Sequence, residues 1–281
     1  MNLETKRQKS AADRLHWSFS DGPNLTKVVF PEGFSSEEST LPTGDFDPLT
    51  DWEQSYDVVY PGYGDTPSNN PAQIYFGSIR MAAKHEGNRV FLKVREVRQL
   101  GQDFSVERQM LEARLTCSRE PLYPLAASRS WSVKTRIINS LDPATKGFAV
   151  LDQSGRLSRE RIEWKHPRNG WIAGEDVGKR PLVCDWGLLA AVQALPQEHL
   201  SIEFTQLQAL ERLNRRQTLS FLGLFSARFG GREVSLTGFV QRGEGMLPSF
   251  FWVDAQGRLL IARYGMYALI YNPNPRLEGE A

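Results

Sequence analysis

The chain is expected to be mainly β, a curved antiparallel sheet or incomplete barrel with two short helices and a loop-rich N-terminal arm. Three observations predict this. First, one turn-like signature is written twice, as Leu151-Asp152-Gln153-Ser154-Gly155-Arg156-Leu157 and Val253-Asp254-Ala255-Gln256-Gly257-Arg258-Leu259, each between strand-like runs. In such a signature Asp bonds its own backbone and Gly takes the positive φ that other residues resist. Second, Trp131, Val133, Thr135 and Ile137 alternate with Ser132, Lys134 and Arg136, the period of a half-solvated strand. Third, Gly87-Asn88 and Gly230-Gly231 each separate two β-rich runs, as hairpin turns do.

Residues 1–72 hold seven of the sixteen prolines and show no sustained period, which predicts an extended acidic arm packed on the sheet. Its aromatics, among them Trp17, Phe30, Phe46, Trp52 and Tyr56, exceed what disordered segments carry. Gln54 to Val59 has strand character, and 61–71 reads as a surface loop. A β domain is expected over 73–272. Its strands are Ile74 to Met81, Val90 to Val97, Glu107 to Cys117, Trp131 to Ile138, Phe148 to Leu151 and Ser158 to Lys165. The apolar phase set by Val90, Leu92 and Val94 changes at Val97, which predicts a bulge at Arg95 and Glu96.

His166 to Val183 is expected to be irregular. Asp185 then reads as the N-cap of a helix over Trp186 to Leu195, with Leu188, Val192 and Leu195 on one face and Pro196 as its stop. A second helix is expected from Thr205 to Asn214, with Leu207, Leu210 and Leu213 inward. Strands resume at Thr218 to Phe229, Glu233 to Gln241, Ser249 to Asp254 and Leu259 to Tyr271, broken at Gly265, before a frayed tail at 273–281. The glycine turns precede the two Asp signatures in the same order. That order suggests a duplicated β unit, 73–165 and 218–271, around a helical insert at 185–214.

Composition narrows the function classes. Hydrophobic content of 40% and charged content of 24% are those of an ordinary globular protein, and no apolar run reaches the ~20 residues of a membrane span. With Met1 as the natural start, the absence of a leader makes the cytoplasm the default address; a missing or removed signal peptide would make it extracytoplasmic. The net charge of +1 conceals an asymmetry: residues 1–72 carry five Lys/Arg against twelve Asp/Glu, and 73–140 carry twelve against six. The acidic segment lying across the basic one explains this better than a nucleic-acid surface, since no nucleic-acid motif accompanies it. Cys117 and Cys184 permit one bridge without suggesting a framework, and Cys117 fits a buried thiol in the alternation Leu111, Ala113, Leu115.

The run Gly243-Glu244-Gly245-Met246-Leu247-Pro248, followed by Phe251-Trp252-Val253-Asp254 and Gly257-Arg258-Leu259, resembles the C-terminal sheets of uncharacterised, usually exported bacterial β proteins. More distantly it is similar to the half-barrels of periplasmic lipoprotein carriers. The resemblance covers about a fifth of the chain and rests on turn chemistry that many folds share. It implies a curved sheet covered by helices, with a ligand on the concave face.

No motif names a reaction. Gly174-Glu175-Asp176-Val177-Gly178-Lys179-Arg180 has the wrong glycine spacing for a phosphate loop, and Gly62-Tyr63-Gly64 lacks the third glycine of a dinucleotide fingerprint. His16, His85, His166 and His199 stand alone, so no metal or other cofactor is expected. Glu160 to Trp186 gathers the side chains best suited to chemistry, and there His166, Glu163, Glu175 and Asp176 are the acid–base candidates. Against this, Trp164 and Trp186 would simply pack the helix on the sheet. For ligand contact the candidates are Arg95, Arg129 and Arg136 on the basic strand faces, with Trp164, Trp171, Trp252 and Tyr264 as aromatic surfaces. The leading expectation is non-catalytic binding of a small amphipathic or anionic ligand, lipid-like or carbohydrate. The alternatives are a glycan-acting or other polar-substrate hydrolase or lyase, and a scaffold. The oligomeric state is left open.

Overall fold

The computed structural model of the chain describes residues 41–60, 74–100, 107–119, 126–139, 149–196, 198, 200–229, 232–244, 246–264 and 267–275. The expectations for most of the arm, for His16 and His199, for Gly230-Gly231 and Gly265, and for the end of the tail lie outside them.

Eight strands follow one another as antiparallel neighbours: β1 Trp52–Tyr60, β2 Ile74–Glu86, β3 Arg89–Leu100, β4 Glu107–Arg119, β5 Ala126–Asn139, β6 Ala149–Ser158, β7 Arg161–His166 and β8 Gly170–Asp176. After a link at 177–181 come β9 Leu182–Cys184, the helix α1 Asp185–Ala191 with a 3-10 turn Val192–Ala194, and β10 Ser201–Gln208. The chain then runs through β11 Arg212–Phe229, β12 Arg232–Arg242, β13 Ser249–Val253, β14 Leu259–Tyr264 and β15 Tyr267–Tyr271. β15 pairs with β1, so two meanders fuse into one sheet ordered β8-β7-β6-β5-β4-β3-β2-β1-β15-β14-β13-β12-β11-β10-β9. Among the described residues only the β9–β10 pair is parallel.

The link at 177–181 decides the overall shape. It joins the two edge strands of a fifteen-stranded sheet, and a chain of this length reaches about 20 Å at most. The sheet must therefore curl until its edges nearly meet. Hydrogen bonds cross the seam: Thr205 Oγ1 of β10 donates to Val177 O at 3.3 Å, and the Arg215 guanidinium of β11 donates to Asp176 O of β8 at 2.7 Å. The sheet stays unclosed, because β8 and β9 do not pair.

The inner face carries the main core. A row of paired residues, Trp52, Ala83, Leu92, Leu115, Trp131 and Gly155, crosses six strands and points inward. Helix α1 sits on this face against β3, β5 and β10, with Trp186, Leu188, Leu189, Ala191 and Val192 all buried. The single apolar face expected for the helix is thus too narrow a description, since walls surround it on several sides. A second cluster covers the outer face of β12–β15, where Trp252 stacks on Phe250 with ring centroids 5.9 Å apart.

Five expectations are corrected. The run Leu151–Leu157 lies inside β6 rather than in a turn. Gly155 is there for space, because a Cβ would overlap the Trp131 indole, and the real turn is Arg159-Glu160, at φ 48° and 66°. The second copy of the signature is a turn as expected: Gly257 has φ 84°, and Asp254 Oδ1 accepts from Gln256 N and Arg258 N. The two signatures are therefore not equivalent structures. Thr205–Asn214 is a hairpin rather than a helix, turning at Ala209 and Leu210 with φ 50° and 58°, so among the described residues one α-helix stands where two were expected. The segment after His166 is not irregular, since β8 pairs back on β7. The helix N-cap is Cys184, whose Sγ accepts from Gly187 N at 3.2 Å, one residue before Asp185. Finally, β3 pairs with both neighbours without a register shift, so no bulge exists at Arg95 and Glu96.

Candidate functional site

Without a bulge, the even residues of β3 keep facing inward beyond Val94, and they are Glu96 and Arg98. Glu96 is 5% exposed, and its carboxylate accepts from Arg98 Nε on the same face. Gly77, paired with Arg98 on β2, leaves room for the arginine, because a Cβ there would press on the β3 backbone. The Arg98 guanidinium lies 5.2 Å from the centre of the Tyr267 ring, which also meets Phe76 edge-on at 6.2 Å and Tyr264 at 5.7 Å. Tyr264 is half-buried as a residue, but its hydroxyl is sealed from solvent and has no hydrogen-bond partner among the described residues. Aromatic rings thus meet a charged pair on the inner face, where Phe76, Arg98, Tyr264 and Tyr267 are half-buried.

Asp185 of α1 lies within electrostatic reach of this cluster. Its Oδ1 accepts from Gln206 Nε2 at 2.6 Å and its Oδ2 from Ala209 N at 2.7 Å. The network continues inward as Gln241 Nε2 donates to Gln206 Oε1 at 2.8 Å and to Gln217 Oε1 at 3.3 Å. Burial raises the Asp185 carboxyl to about 6 despite these bonds. Burial also raises Glu96, with Arg98 opposing the shift. The phenols of Tyr264 and Tyr267 are pushed up chiefly by burial.

The acid–base candidates lie apart from this cluster and are engaged one by one. Glu163 Oε2 accepts from Arg156 Nε at 2.7 Å. His166 Nδ1 accepts from the backbone N–H groups of Arg168 and Asn169 in the β7–β8 turn. Asp176 Oδ1 accepts from Gly178 N, and Glu175 lies 3.4 Å from Arg215. Near them a cleft of about 430 Å³ is lined by Asp176, Lys179, Arg180, Arg215 and Arg216. Its arginines are paired, Arg180 with Glu203 at 2.6 Å and Arg216 with Glu244 at 3.3 Å.

The binding candidates are spread over both faces. Tyr264 belongs to the inner cluster, and Trp164 faces inward at 5.6 Å from Trp131. Trp252 is buried on the outer face. Arg95 lies 3.6 Å from Glu112, Arg129 Nε donates to Ser118 Oγ at 2.8 Å, and Arg136 is exposed on β5. Trp171 is exposed on β8 with the Arg156 guanidinium 4.2 Å from its ring centre.

No protein-family model matches the chain, and no curated protein matches it. Among solved structures it is similar to a β-barrel-like protein of a domain of unknown function, DUF1849, from Brucella abortus. Identity is 10% and the TM-score 0.45, over 79% of this chain and 95% of that one.

Among the described residues no three His, Cys, Asp or Glu side chains gather as a metal site, and no helix is long and apolar enough to cross a membrane. Cys117 and Cys184 are free and buried; burial pushes the Cys117 thiol well up and the Cys184 thiol to about 11. Sequence reasoning missed Glu96 as a site residue, and with it the pairing that joins Arg98 to Tyr267. The signal was there, because a charged pair interrupting an alternating apolar series marks either a shifted register or an inward charge.

Proposed function

We propose that this protein is a non-catalytic binder that takes a small amphipathic ligand with an anionic or polar head at the mouth of its inner face. The observation that carries this reading is the sealed hydroxyl of Tyr264, unpartnered among the described residues, on a ring next to Tyr267, which the Arg98 guanidinium covers. A polar atom left unpaired in the interior costs about 1–3 kcal/mol, a cost that a ligand acceptor would remove. Phe76, Tyr264 and Tyr267 offer the apolar surface that the tail of such a ligand needs, and Arg98 offers charge-assisted donors to its head. Hydrolysis has less support, because His166, Glu163, Glu175 and Asp176 each hold separate local partners.

The test is native mass spectrometry of freshly purified protein against its denatured mass, followed by titration with a long-chain fatty acid read by intrinsic fluorescence. Extra mass seen only in the native spectrum, or saturable fatty-acid binding weakened in the Glu96→Gln/Arg98→Met double variant, supports the reading. A bare native mass together with no saturable binding overturns it.

A further inference from the structure

The outer face of β2–β6 carries charge in rows, because residues paired across antiparallel strands share a face. One row runs Arg80, Arg95, Glu112, Lys134 and Asp152. Its signs alternate from Arg95 onward, Arg95 lies 3.6 Å from Glu112, and Arg80 lies 3.6 Å from Glu53. A neighbouring row, two residues along each strand, runs Ala82, Lys93, Arg114, Ser132 and Ser154. Lys93 and Arg114 face one another directly, no carboxylate stands between Ala82 and Ser154, and Glu53, next in line on β1, pairs with Arg80 instead. Both side chains are exposed and neither forms an ion pair among the described residues. Like charges directly opposite one another destabilise a sheet. The fold balances the first row and leaves the second uncompensated.

A third row runs Lys84, Phe91, Thr116, Ser130 and Arg156. Its end cations are satisfied, Lys84 by Glu86 at 2.8 Å and Arg156 by Glu163 at 2.7 Å. Along these two rows lies an open groove of about 590 Å³, which Trp171 of β8 also lines. It crosses from β2 to β6, four strand spacings or about 19 Å. Trp171 is 40% exposed, among the largest apolar side chains on the surface.

The geometry points to this groove as a binding site for a linear polysaccharide bearing carboxylates, of the polyuronate class. Three features select that chemistry. Each strand from β2 to β6 has a neighbour on both sides, so its backbone groups are spent in the ladder and an extended peptide cannot add to it as a strand. What the groove offers is side chains: the hydroxyls of Thr116, Ser130 and Ser132 for sugar hydroxyls, the exposed indole of Trp171 for the C–H face of a pyranose, and Lys93 and Arg114 for the carboxylate. Two rings, Phe91 and Trp171, are too few for the successive base-stacking platforms of a single-stranded nucleic-acid groove. The site lies on the opposite face of the sheet from Tyr264 and does not depend on the binding reading there.

The experiment is isothermal titration of the full chain with a short oligogalacturonate. Cello-oligosaccharide of the same length, polyglutamate and oligothymidylate are the comparisons. Oligogalacturonate is expected to bind best, more weakly as salt rises. Trp171→Ala and Lys93→Glu should each weaken it by about tenfold or more, near 1.4 kcal/mol. Lys93→Glu should also raise the melting temperature, because it removes the repulsion with Arg114, which separates lost binding from lost folding. Tyr264→Phe should leave oligogalacturonate binding unchanged. Absence of oligogalacturonate binding, equal or tighter binding of any comparison ligand, or wild-type affinity in Trp171→Ala would overturn the proposal.

Discussion

Asp185 Oδ1 accepts a hydrogen bond from Gln206 Nε2 at 2.6 Å, tying the first residue of α1 to β10. Burial nonetheless raises this carboxyl from 3.8 to about 6. Between these two values the folded state binds more protons than the unfolded state. Stability is therefore greatest below about pH 4 as far as this group is concerned, and falls as pH rises through about 6. The full shift corresponds to at most about 3 kcal/mol, and less because Asp185 keeps some solvent contact. Urea midpoints measured from pH 4 to 7 should show this decline in the wild type. Asp185→Asn should flatten the slope, while losing about 1 kcal/mol from one of the two acceptor bonds at every pH.

Glu96 and Arg98 should be strongly coupled. Arg98→Met leaves a buried carboxylate without its cation and should cost about 3 kcal/mol or more. Glu96→Gln/Arg98→Met removes both charges and should recover much of that loss. A double-mutant cycle by urea unfolding reads the coupling directly, and independent, additive losses would contradict the pairing.

Glycines at 155 and 87 should respond differently to alanine. Gly155→Ala forces a methyl into the Trp131 indole inside a packed row, so a loss of about 1–3 kcal/mol is expected. Gly87→Ala meets open space and pays only for its φ of 60°, about 1 kcal/mol. Thermal melts of the two variants decide whether packing outweighs backbone strain here.

The hairpin turn at Ala209 and Leu210 places two non-glycine residues at positive φ. Ala209 is exposed and contributes to its neighbours mainly through its N–H to Asp185. Ala209→Gly keeps that donor and relieves the left-handed strain, so it should raise stability by roughly 0.5–1 kcal/mol. A lower melting temperature would show that the turn is not strained at this position.

Much of the sheet was legible because strand formation has a local signature. The alternation of Trp131, Val133, Thr135 and Ile137 matches β5, and Gly87-Asn88 does turn β2 into β3. The candidate site was less legible, because its members come from β2, β3, β14, β15 and α1. Glu96 was read as evidence of a shifted register, when the unbroken ladder on both sides of β3 holds it inward. Leu207, Leu210 and Leu213 carry helical spacing, yet the hairpin buries Leu207 and Leu210 equally well. With so few apolar residues, both periods fit.

What the sequence by itself determined is the class of the fold: alternating faces, tight turns and a helix between two β-rich halves. These depend on interactions within a few residues, where side-chain period and backbone preference act without reference to the rest of the chain. Only the tertiary structure decided which glycine turns the chain and which makes room for an indole. It also decided that a short link curls fifteen strands toward closure, that Glu96 and Arg98 face Tyr264 and Tyr267, and that Lys93 and Arg114 stand together without a carboxylate. Each of these depends on strand register and sheet curvature, which set the neighbours of a side chain across distances that no local pattern encodes.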